Sequence, residues 1–166
     1  MLNPLVDKLN TTNSVIAVIL GSVFFPLNFY VIANLLKNTS FGASFCKKYS
    51  IKQHGIYDIS NKIISSVFSI ISCICGLAVI TKCTSNDLMK ERHLILENFM
   101  IFGFPYFFYD MYSMYLITST ENKDNVTVST KEIIQFFKTK PLIILHHILV
   151  PGIGYSSMLF LRNGQV

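Results

Sequence analysis

The sequence predicts an all-α fold, a polytopic transmembrane helical bundle of four spans, and three observations carry that reading. Hydrophobic residues make up 51% of the 166 positions and charged residues only 14%, where a soluble domain carries roughly 25% charge. The mean hydropathy is accordingly high, at +0.48. The apolar residues fall into four blocks, 14–36, 61–81, 98–118 and 141–161. Each is about 20 residues long, enough for a helix to cross roughly 30 Å of hydrocarbon.

Residues 1–13 form a tail ahead of the first span. Block 14–36 is longer than the apolar core of a cleaved secretory signal, and no clean small-residue cleavage site follows, so it reads as a retained signal anchor. Loop 37–60 holds Gly42, Gly55 and several small polar residues and is expected to be irregular or only partly helical. The second span, 61–81, leads into loop 82–97, and the third span occupies 98–118. In loop 119–140, Ser129 with Glu132 reads as a capping box. It opens a short amphipathic helix with Ile133, Ile134, Phe136 and Phe137, expected to lie along the membrane surface. Pro141 starts the fourth span, 141–161, where its missing N–H matters least.

Charge placement orients the spans. Loop 37–60 carries Lys37, Lys47, Lys48 and Lys52, and loop 119–140 carries Lys123, Lys131, Lys138 and Lys140. The tail offers Lys8, and loop 82–97 sets Lys82, Lys90 and Arg92 against Asp87, Glu91 and Glu97. By the positive-inside rule the two lysine-rich loops are cytosolic and both termini lumenal. The net charge of +5 gathers on no single face or tail, which argues against a nucleic-acid partner. Asn10, Asn38 and Asn125 begin N-x-Ser/Thr triplets. The last two face the cytosol and Asn10 sits close to a span, so all three read as polar loop residues. Cys46, Cys73, Cys75 and Cys83 form no paired metal pattern, and neither a metal nor a cofactor-binding residue is assigned.

The chemistry-bearing residues lie inside the spans. His146 and His147 are adjacent in the fourth, and Asp110 is the acidic residue deep in the third. Ionisable groups at membrane depth are costly and mark functional sites. At 1.5 Å per residue Asp110 lies about 12 Å below the cytosolic end of its span, and the histidines lie roughly 7 to 9 Å below theirs. Consecutive spans run antiparallel, so an Asp–His contact is within reach. Neighbouring helix positions point about 100° apart, so one histidine can face a reaction cavity while the other holds a partner. Pro151 removes the hydrogen bond that the His147 carbonyl would accept, and Gly152 and Gly154 would let another helix approach. The competing reading makes these groups interhelical hydrogen-bond partners, as Asn28, Asn34, Ser65, Ser66, Ser69 and Ser72 are expected to be.

The run Phe107-Phe108-Tyr109-Asp110-Met111-Tyr112-Ser113-Met114-Tyr115, a polar lysine-rich loop, and then Lys140-Pro141-Leu142-Ile143-Ile144-Leu145-His146-His147 resemble the TLC-domain family. The likeness is nearest to the TLC domain-containing protein 3 subgroup, with the ceramide synthases more distant. It covers residues 61–163 as a partial TLC domain. The resemblance implies an integral membrane protein of the endoplasmic reticulum whose helices surround a lipid-sized cavity. It also implies sphingolipid and ceramide metabolism or lipid homeostasis, with acyl transfer from acyl-CoA, as co-substrate, to the amine of a sphingoid base. His146 and His147 are the positions carried over to the catalytic motif; Asp110 comes from the depth argument. Membrane lipids and homo- or hetero-oligomers with TLC-family proteins are the implied partners.

Two departures qualify the likeness. Val150 stands where the ceramide synthase motif has threonine, and the motif's later acidic residues lie beyond Val166. Gln165-Val166 is what an exon end read through into an intron would encode, so the sequence predicts a truncated form. The alternative function is a non-enzymatic regulator of membrane lipid composition, or an inactive short isoform. A transporter or channel is disfavoured, since four spans show no repeat and no charged pathway.

Overall fold

The computed structural model describes residues 4–82, 94–122 and 130–162. They form six helices: α1 (Pro4–Asn38), α2 (Ser40–Lys48), α3 (Gln53–Lys82), α4 (Leu94–Asn122), α5 (Thr130–Thr139) and α6 (Pro141–Arg162). No strand occurs among the described residues. Helix α4 is central and packs against α1, α3 and α6, while α1 also packs on α3.

The contacts fix the helix directions. Gly21 faces Phe102 and Tyr30 meets Tyr112, so α1 and α4 run parallel. Asn61 meets Asp110 and Ser65 meets Tyr106, so α3 runs against α4. Gly154 faces Met100 while His147 reaches Asp110, so α6 also runs against α4. In chain order the long helices therefore alternate in direction.

Among the described residues two helices are long and apolar enough to cross a bilayer, Asn13–Asn38 within α1 and Gln53–Thr81 within α3. Ile133–Thr139 and Pro141–Gly154, bent by 91°, make a third span if taken as one. Four apolar blocks were expected, and α4 is the one that falls short. Asp110 and four tyrosines between positions 106 and 115 lower its hydropathy, and it is the helix with neighbours on most sides.

The core is aromatic. Phe25 and Phe29 lie one helical turn apart on α1 and are almost wholly buried against Ile64, Tyr109 and Leu116. The Phe25 ring lies 5.3 Å from that of Tyr106 and 5.4 Å from that of Phe102, in edge and tilted contacts that suit the ring quadrupoles. Lipid tails are as apolar as these side chains. Close packing and hydrogen bonds, not exclusion of water, therefore hold such helices together. Gly21 permits the approach of α1 to α4, since a Cβ there would lie 2.1 Å from the Phe102 carbonyl oxygen.

Loop 37–60 is more helical than expected. Thr39 caps α2: its hydroxyl accepts from the Gly42 amide at 3.1 Å and donates to the Leu35 carbonyl at 2.6 Å. The chain thus turns without a long irregular segment, and α3 starts at Gln53, well before residue 61. The short helix expected in loop 119–140 is α5. It buries Phe136 against Tyr115 and Ile144 and leaves Ile133, Ile134 and Phe137 exposed. Ser129 of the expected capping box lies outside the described residues. Helices α1, α4 and α6 each contain an internal proline, Pro26, Pro105 and Pro151. Gly154 meets Met100 of α4, but nothing approaches Gly152, so the expected helix contact forms at one of the two glycines.

Candidate functional site

The site is assembled from three helices. Asn61 lies on α3, Tyr109 and Asp110 on α4, and His147 on α6. The Tyr109 hydroxyl donates to Asn61 Oδ1 at 2.9 Å, and Asn61 Nδ2 donates to Asp110 Oδ1 at 2.7 Å. Asp110 Oδ2 lies 2.5 Å from His147 Nε2. On the far side of the ring, Nδ1 faces the Ile143 carbonyl at 2.8 Å. Asp110 is buried with 7% exposure and Asn61 with 8%.

The hydrogen-bond chemistry fixes most of the protons. A carbonyl only accepts, so His147 Nδ1 carries a hydrogen. The remaining proton lies between Nε2 and Oδ2, as imidazolium facing carboxylate or as imidazole facing carboxylic acid. Both forms leave Oδ1 able to accept from Asn61, and Asn61 Oδ1 able to accept from Tyr109. The Tyr109 hydroxyl, both polar atoms of the Asn61 side chain, both Asp110 oxygens and both His147 nitrogens each have a partner, as a buried network requires. Around it, the Tyr106 hydroxyl donates to Ser65 Oγ at 3.0 Å, and Ser113 Oγ donates to the Asp110 carbonyl at 2.9 Å.

Of the three residues singled out from sequence, the structure joins Asp110 and His147 and leaves His146 apart. The imidazole of His146 is exposed on α6 and makes no hydrogen bond among the described residues; its ring meets that of His147 edge-on at 5.4 Å. The 100° step between neighbours accounts for the split. Asn61 and Tyr109 complete the network although neither was singled out as a site residue. Asn61 sits at the edge of an apolar block, and Tyr109 is one tyrosine among several. Position 61 lies two turns into α3, and only knowledge of that earlier start brings it to the depth of Asp110.

A separate apolar groove of about 180 Å³ lies between α3, α4 and α6, walled by Phe107, Phe104, Gly103, Val150, Pro151 and Gly154 among others. Phe107 also touches the His147 ring, at 6.0 Å between centres. Among the described residues no three His, Cys, Asp or Glu side chains are placed to hold a metal ion. No family model matches the chain, and no solved structure matches it.

Proposed function

We propose that the protein is a four-span TLC-type membrane protein that handles sphingolipids, with ceramide-synthase-like N-acylation as its chemistry and the endoplasmic reticulum as its site of action. The observation that carries this reading is the 2.5 Å contact between His147 and Asp110, closed at membrane depth by residues from three helices. Alternation of α1, α3, α4 and α6 supports four crossings, with α4 as the inner one. The flanking apolar groove suits an acyl chain.

In this reading His146 is the reactive imidazole and the His147–Asp110 pair positions it. A neutral imidazole can take a proton from the sphingoid amine as its nitrogen attacks the acyl-CoA carbonyl carbon. The N–C bond forms, the C–S bond breaks, and the proton passes on to the departing thiolate. The test is N-acylation of a labelled sphingoid base in membranes of a host lacking its own ceramide synthases. The chain is compared with a His146→Ala/His147→Ala double variant. Activity that disappears in the variant is the expected result.

A second reading is non-enzymatic, a regulator of lipid composition acting alone or with TLC-type partners. One observation favours it: both ring nitrogens of His147 are already engaged, which makes the network a clasp between helices. An inserted, folded chain without acyl transfer would select this reading.

A further inference from the structure

One cavity lies away from the histidines. A cleft of about 460 Å³ opens between α1 and α3, lined by Tyr30, Asn34, Lys37, Gln53 and Tyr57 together with apolar Ala33 and Ile56. Lys37 belongs to the last turn of α1 and Gln53 to the first of α3, where their apolar spans end. The cleft therefore sits where the apolar spans end, with a mostly apolar wall and a few polar groups on it. Its charge is one-sided. Between Asp7 and Asp58 the sequence holds no acidic residue, while Lys37, Lys47, Lys48 and Lys52 fall within that stretch. Asp58 is already paired with Lys62 at 2.6 Å, and Lys37 forms no ion pair among the described residues. The first turn of α3 also lacks an acidic residue to offset its amide dipoles.

We propose that this cleft binds a phosphate monoester, with Lys37 as its cation, the Asn34 side-chain amide and the Tyr57 hydroxyl, which already accepts from Gln53 Nε2 at 3.0 Å, as donors, and Ala33 and Ile56 against the adjoining apolar part of the ligand. The chemistry fits a phosphatidate-like lipid headgroup or a soluble phosphate ester. An ammonium with neutral donors beside it in one cleft binds such a group more strongly than scattered surface lysines do.

The test uses the purified full chain in zwitterionic nanodiscs, with fluorescent short-chain phosphatidate as probe and helicity followed in parallel. Saturable binding is expected, weakened roughly tenfold by Lys37→Ala, retained in Lys37→Arg, and abolished by Ala33→Phe, which fills the cleft. Competition by glycerol 3-phosphate as effective as that by unlabelled phosphatidate would assign the site to soluble esters; weaker competition would assign it to lipid. Equal loss in a Lys47→Ala/Lys48→Ala variant, whose side chains do not line the cleft, would overturn the proposal. So would equal competition by short-chain phosphatidylcholine. The assay is independent of acyl transfer, so its outcome and that of the proposed activity are read separately.

Discussion

His147 reaches across 37 residues of sequence to place Nε2 2.5 Å from Asp110 Oδ2. Helix α6 packs on α4 and α5, so this one bond links it to the network that also binds α3. Removal of either partner leaves one polar atom of the other, Nε2 or Oδ2, without its hydrogen bond.

Asp110→Ala is expected to destabilise the chain by about 3 kcal/mol, because His147 Nε2 and Asn61 Nδ2 both lose their acceptor inside the bundle. Asp110→Asn can still donate to Nε2 and accept from Asn61, so its loss should be well under half of that. Thermal melting followed by circular dichroism in detergent checks the order.

The two histidines are expected to separate. His147→Ala leaves Asp110 Oδ2 without its partner and lowers the melting temperature. His146→Ala removes an exposed ring and should shift stability by no more than about 0.5 kcal/mol. If acyl transfer is present, His146→Ala abolishes it in a chain that remains as stable as the parent. A large stability loss in His146→Ala would contradict the placement of its ring.

Gly21→Leu is expected to part α1 from α4, since even its Cβ would overlap the Phe102 carbonyl. The cost should exceed about 1–3 kcal/mol, because backbone must move instead of a side-chain tip. Gly76→Ala is the control: nothing approaches that position, so melting should hold or rise slightly.

Phe136→Ala is expected to cost about 3 kcal/mol and to free α5 from its corner, since the ring fills the space between Tyr115 and Ile144. Phe137→Ala removes an exposed neighbour and should leave the corner intact. Limited proteolysis within α5 distinguishes the two outcomes.

Much of this architecture was legible in the amino-acid order, and the exceptions have physical causes. Block 61–81 announced a helix because lipid demands an unbroken apolar run, yet α3 starts earlier. Its first turns need no lipid, and so carry no hydropathic signal. Rise per residue, with consecutive spans antiparallel, put an Asp–His contact within reach. Which histidine turns inward was not legible, because periodicity gives the angle between neighbours but not the direction of either. Asn61 was hidden for a related reason. A polar residue at the edge of an apolar block looks like a boundary until the helix is known to extend past it. The tyrosines of α4 concealed its place at the centre, since hydropathy scores a ring by its hydroxyl even when protein receives that hydroxyl.

The right-angled corner at Lys140 makes the distance from α5 to His147 a fixed plumb line. From that corner, where α5 and α6 meet at 91°, seven residues place the imidazole about 10 Å along α6. One residue inserted between the corner and His147 would swing the ring by about 100° and lower it by roughly 1.5 Å. No side-chain adjustment restores the contact with Asp110 from that position. This stretch of chain should therefore tolerate many changes of identity and none of length.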